Sequence, residues 1–464
     1  MARLYVFGIG GTGSRVLRSL TMLLATGVKT NGYDIVPIII DPDSANADLT
    51  RTVALMNKYI SIRSKLTFTA QDGKSFFKTS IKQTLPNFLI PVQNTNQTYD
   101  QFIGLNNMSL SDRAMAEMLF SEKNLSSDMV VGFKGNPNIG SVVLEQMASS
   151  EEFNEFANSF TQGDKIFIIS SIFGGTGASG FPLLLKTLRH SNTLPNSGTL
   201  NTAEIGAITV LPYFKLKTND QSAIDSSTFL SKARAALKYY QDNVSDANAL
   251  YYIGDMPSSA YENNEGGTAQ QNDANLIELL AATAIIDFCG NTFSQGQTSY
   301  RELGMDGGQG ASSLKLFPLG NGMFNDFAYP MLEFALFAKS LVEDYNFVSS
   351  DNLKANKKIN MNVYESQFGR DLRSYLEDYT AWLSELKGNS PSFAPFSISE
   401  NKLGDLKDFV TDIPAKKFIF SNVDNNSFRS ELNSVSPKNG TDEDKLLELY
   451  NKAARKFAKD KYKI

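Results

Sequence analysis

Three glycine-rich turns punctuate the first 180 residues, each after an apolar or part-apolar run and each before a helical pattern. They read GIGGTGS at 8–14, GNPNIG at 135–140 and IFGGTGASG at 172–180. A turn of this kind between a strand and a helix lets backbone approach backbone closely, and it leaves the first amides of the helix without partners. Repeated alternation of apolar strand and helix restricts the first half of the chain to a parallel sheet with helices on both faces.

The first turn satisfies G-x-G-x-x-G through Gly8, Gly10 and Gly13, a pattern that aims a helix N-terminus at a phosphate. Alone it fits nicotinamide, flavin and adenylation folds equally. The second strong turn, Gly174 to Gly180, narrows the field, because a dinucleotide-binding unit needs only one such loop. Two loops at successive strand ends cradle two parts of a polyphosphate. Hydrogen bonds to a charged acceptor contribute about 1.5–3 kcal/mol each, so roughly four to six amides hold a triphosphate without a lysine. No G-x-x-x-x-G-K-[ST] occurs in the chain, which excludes a P-loop. The Asn136-Pro137 turn opens a further helix that would face a terminal phosphate.

Composition removes other chemistries. The 464 residues are enough for two or three domains. Lys+Arg number 44 against 49 Asp+Glu, a net −5, so no nucleic-acid partner is expected. A single cysteine, Cys289, allows no internal disulfide and fits a reducing compartment, and a single histidine, His190, excludes a multi-histidine metal site. Residues 166–185 are uncharged and long enough to span a bilayer, but their glycines, proline and hydroxyls suit strand, loop and helix better than a membrane span. The reading is a cytoplasmic protein.

Strands are expected at 4–7, 35–40, 129–131, 165–172, 205–211 and 249–253. Helices are expected at 13–25, 110–120, 141–160 and 228–240, with a long buried helix at about 270–288. Residues 49–127 read as an elaboration on the sheet edge. The glycine-rich stretch 290–310 reads as a hinge to a second α/β part with short β runs at 314–317, 359–363 and 418–421. The chain ends in a basic amphipathic helix at about 442–462.

The ordered set of loops resembles the tubulin and FtsZ superfamily over roughly residues 1–290. GIGGTGS resembles the first glycine loop of FtsZ, GNPNIG its Asn-Pro loop, and IFGGTGASG the tubulin signature G-G-G-T-G-[ST]-G. IIDPDSANADL resembles the loop after the family's second strand, and VLPYF the loop near its ribose. The resemblance implies a Rossmann-like parallel-sheet GTPase domain (1–290) joined through a central core helix to a smaller mixed α/β domain (291–464). It implies GTP or GDP as ligand with Mg²⁺, and head-to-tail association of the chain with itself. Carried over by position, Gly10, Gly11, Thr12 and Gly13 would meet the α/β-phosphates. Gly174, Gly175, Thr176, Gly177 and Ala178 would form the main cradle, and Gly135 and Asn136 would sense the γ-phosphate. Asp43 would lie by the Mg²⁺, and Asn275, in preference to Asn272, would read the base. Arg15 stands where FtsZ has an Asn near the base.

The family's catalytic N-x-D-x-x-D loop after the core helix has no counterpart, since 290–310 offers only Glu302 and Asp306 as acids. Glu302 is the candidate catalytic acid if GTP is hydrolysed. A GTP-binding switch or scaffold without turnover is the alternative. A third reading is a ThiF-like adenylation enzyme, because GIGGTGS followed by DPDSANADLTR echoes that pattern too. Divergent superfamily members remodel membranes, so the basic C-terminal helix is a candidate contact for a membrane or a protein partner.

Overall fold

The computed structural model describes residues 2–69, 74–217, 226–255, 260–262, 266–303, 322–411, 423–438 and 440–462. One seven-stranded sheet contains β1 (Arg3–Ile9), β2 (Asp34–Ile40), β3 (Leu89–Ile90), β4 (Lys165–Ser171), β5 (Glu204–Val210), β6 (Ala249–Ile253) and β7 (Ser299–Leu303). The order is β3-β2-β1-β4-β5-β6-β7, and every pair is parallel. The helices that matter here begin with α1 (Gly10–Ala25), α2 (Ala47–Ser64), α3 (Leu110–Leu119), α4 (Pro137–Val143), α5 (Glu151–Ser159) and α6 (Gly175–His190). They continue with α7 (Phe229–Asn243), α8 (Leu276–Gly290), α9 (Gly322–Ala338), α10 (Gln367–Gly388), α11 (Asn425–Ser434) and α12 (Asp442–Tyr462).

Period-two alternation along buried strands distributes these helices over two faces. Tyr5 and Phe7 of β1 meet Phe156 of α5 at ring-centroid distances of 5.1 and 5.0 Å. Phe167 of β4 stands in register with Val6, between them, and it meets Phe288 of α8 at 5.4 Å on the opposite face. Helix α1 shares the α8 face and sits directly on β1, because Gly8 and Gly13 oppose each other. A Cβ on Gly13 would lie 2.4 Å from the carbonyl carbon of Gly8. Helix α8 is buried all round except at Asp287 and Gly290, as its lack of a polar stripe requires.

The C-terminal helices close over that same face. Tyr375 of α10 stacks edge-on to Phe77 at 5.1 Å and donates its hydroxyl to Thr21 O of α1 at 2.9 Å. In α12 the apolar stripe Leu446, Leu449, Tyr450, Ala453 and Phe457 is fully buried, against Phe337 of α9 and Phe428 of α11. Three of its cations are paired across the fold or along the helix: Arg455 with Glu333 at 3.3 Å, Lys456 with Glu431 at 2.7 Å, and Lys452 with Glu448. The apolar face expected to meet a membrane or a partner is thus spent on the chain's own core. No helix among the described residues is long and apolar enough to cross a membrane.

Several expected elements differ. Residues 129–131 form a turn instead of a strand, because Gly132, Lys134 and Gly135 all take positive φ (88°, 47° and 74°) and bend the chain sharply. The edge strand is instead β3, two residues long. The 141–160 helix is three pieces, α4, a 3-10 turn (Leu144–Ser149) and α5, the last restarted by the Ser150 cap. The core helix starts at Leu276 and not near 270, because Asn275 caps it. Part of the expected hinge at 290–310 is β7, a strand of the main sheet. Residues 359–363 are turn leading into a short helix (Asn362–Glu365). The part beyond Gly322 is helix-rich, with one two-residue hairpin (Ile398–Ser399 with Lys402–Leu403) among its described residues. The β runs expected at 314–317 and 418–421 lie outside the described residues.

Candidate functional site

All three glycine turns sit at the carboxyl ends of strands or beside them, and they line one cleft. Gly10, Gly11 and Thr12, then Gly132 to Gly135, then Gly174, Gly175, Thr176 and Gly177 form its walls, around about 950 Å³ of open space. The loops touch each other. A Cβ on Gly175 would stand 2.9 Å from Phe133 Cβ, 3.1 Å from Asn136 N and 3.2 Å from Gly135 N. A Cβ on Gly10 would stand 3.4 Å from Thr176 Cβ.

The helix starts explain what such a cleft attracts. Elsewhere α2, α3, α5, α8, α10 and α11 are capped by side chains of Asn46, Ser109, Ser150, Asn275, Ser366 and Asp424. Three helices that open on the cleft, α1, α4 and α6, have Ile9, Asn136 and Gly174 at the N-cap. None of these gives a side-chain cap bond, and none of the three first turns carries an acid. Helix α7, whose Phe229 also lines the cleft, starts without a side-chain cap bond as well. The amides and partial positive charge of these helices are thus left for an external anion.

Beneath the loops lies a charge network. Arg15, on the cleft floor and 5% exposed, donates Nε to Glu278 at 2.6 Å and Nη1 to Asp48 at 3.1 Å. Its Nη2 reaches the Tyr213 hydroxyl at 2.9 Å. Asp48 also takes Arg51 at 2.8 Å. Arg18 of α1 pairs with Glu385 of α10 at 2.5 Å, and Glu385 also faces Arg51 at 3.5 Å. Three arginines and three carboxylates thus balance, and they tie the cleft floor to the C-terminal helices. Burial pushes the Tyr213 phenol well above its ordinary value.

Two more acids face the cleft. Asp41 Oδ1 accepts the Asp43 amide at 3.1 Å, and Asp43 Oδ2 accepts the Gly267 amide at 2.7 Å. Burial raises the Asp41 carboxyl to about 7. Among the described residues no group of three or more His, Cys, Asp or Glu side chains converges to hold a metal ion. The far wall is apolar and aromatic: Phe173, Phe214, Leu216 and Phe229, with Phe173 at 5.0 Å from Phe229 and 5.5 Å from Phe214.

Of the residues singled out in the sequence, Gly10, Gly11, Thr12, Arg15, Asp43, Gly135, Gly174, Gly175, Thr176 and Gly177 line the cleft together. Gly13 instead packs on Gly8, and Ala178, a buried residue in the first turn of α6, gives its carbonyl to the Tyr240 hydroxyl at 3.1 Å. Asn136 spends its amide on Phe133 O at 2.8 Å. Asn275 is fully buried away from the wall. Its Oδ1 accepts Ile277 N at 2.9 Å and its Nδ2 donates to the Tyr261 hydroxyl at 3.3 Å. Asn272 lines the cleft instead, with Nδ2 on Asp48 at 3.0 Å. Glu302 falls in β7, in register with Tyr252 of β6. Asp306 lies outside the described residues. Asp41, Asn46, Phe229 and Gln270 were not singled out. Asp41 ends an apolar run in a motif already noticed, whereas nothing local marks Phe229 or Gln270.

No family model matches the chain, and no curated protein does. Solved structures do resemble it. They include CetZ from Methanosaeta thermophila strain DSM 6194 (17% identity over 55% of this chain and 46% of that one, TM-score 0.28). They also include an empty FtsZ dimer from M. jannaschii (16%, 62% and 53%, TM-score 0.29). A third is a GTPgS-bound protofilament of CetZ2 from Haloferax volcanii (14%, 62% and 58%, TM-score 0.30). The chain thus spans about half the length of the solved structures it matches.

Proposed function

We propose that the cleft binds a nucleoside triphosphate, GTP in the first instance, and that the chain is a divergent tubulin/FtsZ-like protein whose copies associate head to tail over the bound nucleotide. One observation carries this reading: the N-termini of α1, α4 and α6, without side-chain cap bonds or first-turn acids, converge on one cleft, and α7, whose Phe229 lines it, opens in the same way. A chain of phosphates supplies the anion those amides lack. Magnesium would enter on the phosphates and neutralise part of their charge, with Asp41 and Asp43 as the carboxylates beside it. The Phe214 and Phe229 wall would take the apolar part of the nucleotide, and Asn272, in place of Asn275, would offer its amide to a base.

Self-association has its own support. Val130, 47% exposed, directly precedes cleft-lining Val131, and Leu230, 58% exposed, directly follows cleft-lining Phe229. Nearby in sequence α3 exposes Leu110, Met115, Met118 and Leu119. Apolar side chains at the rim of a polar cleft suit a face covered by another copy. A head-to-tail contact of this kind does not close and produces filaments.

The absence of carboxylates from residues 291–298 and the place of Glu302 in a strand favour a second reading, a nucleotide-bound scaffold with little turnover. Competition of GTP against ATP for the purified chain, followed by pelleting and negative-stain microscopy with GTP and Mg²⁺, tests the first reading. Phosphate release measured at rising protein concentration separates the two: release steeper than linear marks a site completed between copies. A chain that binds neither nucleotide, or stays monomeric with GTP at high concentration, refutes the corresponding part.

A further inference from the structure

Residues 266–272, which begin with a 3-10 turn (Gly267–Ala269), run beside the 43–48 segment and reach the first glycine loop with few apolar anchors. At one end Gly266 is pressed between two loops: a Cβ there would stand 2.6 Å from Asp43 Oδ2 and 2.8 Å from Val131 Cβ. The next amide, Gly267 N, donates to Asp43 Oδ2 at 2.7 Å. In the middle, Gln270 Oε1 accepts from Asn46 Nδ2 at 2.7 Å and Gln270 O accepts from Asp48 N at 3.2 Å. At the other end Asn272 is held by Asp48 through N at 3.1 Å and Nδ2 at 3.0 Å. Gln270 Nε2 would stand 3.9 Å from a Cβ on Gly11, so this side chain lies over the opening amides of α1. Gln270 and Asn272 both line the cleft.

We propose that residues 266–272 are a strap over the Gly11 side of the cleft, fastened by Asp43, Asn46 and Asp48, that must lift for a nucleotide to enter or leave. This rests on the nucleotide reading above. The fastenings are polar, hydrogen bonds with Asp43, Asn46 and Asp48 and one from Arg51 to Asn272 O, so the strap opens locally without disturbing the apolar core beneath. The Asp43 fastening is also in competition with the ligand. A cation arriving with the phosphates seeks the same carboxylate that holds Gly267 N–H, so binding loosens that end while Asn46 holds the middle and Asp48 the other end.

The test is stopped-flow binding and displacement of a fluorescent N-methylanthraniloyl-GTP with Mg²⁺ on the full chain, wild type against Gln270→Ala and Asn46→Ser. Serine at position 46 keeps an oxygen for the α2 cap and removes only the amide donor. A strap predicts that association and dissociation rates rise together, by about three- to tenfold in each variant, the worth of one hydrogen bond. Faster dissociation with unchanged association would make Gln270 a simple ligand contact and overturn the strap while leaving the nucleotide site intact. Unchanged rates in both directions would overturn it as well. A wild-type chain that binds no nucleotide would remove the site itself, and the strap with it.

Discussion

Gly175→Ala tests the convergence of the loops at the point where it is tightest. The added methyl would sit 2.9 Å from Phe133 Cβ, 3.1 Å from Asn136 N and 3.2 Å from Gly135 N. Carbon atoms rest at about 3.5–4.0 Å, so the 133–136 loop has to retreat by roughly 0.6 Å. An amide at about 2.9 Å from a phosphate oxygen then leaves the range of a good hydrogen bond. Each lost bond to a charged oxygen costs about 1.5–3 kcal/mol, which is a factor of roughly ten to a hundred in affinity. Overpacking costs about 1–3 kcal/mol of stability, partly offset by about 1 kcal/mol because alanine is the better residue in a helix. The expected result is a chain that still folds, with a urea midpoint only modestly lowered, and that binds Mg²⁺-GTP at least tenfold more weakly by calorimetry. Gly198→Ala, at a position with nothing within 4 Å of the new methyl, is the control and should change neither quantity by much. Wild-type affinity in Gly175→Ala, with the fold retained, would refute the claim that the second and third loops hold one ligand between them.

Other substitutions separate roles within the same region. Asn275→Ala removes a helix cap and should cost about 1 kcal/mol in chemical denaturation, while the ratio of GTP to ATP affinity stays put. A changed ratio would return Asn275 to the base. Arg15→Ala leaves Glu278 and Asp48 short of a buried partner, and should lower stability by about 3 kcal/mol or more. Less than 1 kcal/mol by urea titration would mean that Arg51 and Tyr213 suffice. For Asp41 the folded-state value of about 7 stands above the ordinary 3.8, so the folded protein holds this proton more tightly than the unfolded one. Its contribution is therefore complete below about pH 4 and is lost as pH rises towards about 7, by up to roughly 4 kcal/mol. Asp41→Asn should flatten the fall in the urea midpoint between pH 5 and pH 8, and an unchanged slope would place the titration elsewhere.

Much of this architecture was legible because its signals are local. Apolar runs ending in glycine mark β1 and β4, Ala249–Ile253 was readable residue for residue, and the C-terminal helix has an unmistakable stripe. The elements missed were those decided by backbone conformation over few residues. Three positive-φ residues at 132, 134 and 135 turn an expected strand into a bend. A serine at 150 restarts a helix that periodicity alone would run through.

The sequence by itself determined that glycine turns at residues 8–14 and 172–180 follow buried strands and open helices. It also determined that α8 is a core helix, because no face of Leu276 to Gly290 is polar. Only the tertiary structure decided which turns share a cleft, for that depends on strand order: β4 lies beside β1 although about 160 residues separate their starts. Packing likewise decided that Asn275 is a cap and Asn272 a wall residue, a difference of three positions that spacing along the chain cannot resolve. It also buried the α12 stripe inside the molecule. An amphipathic pattern states that a face will be covered, and the partner that covers it is fixed by the rest of the fold.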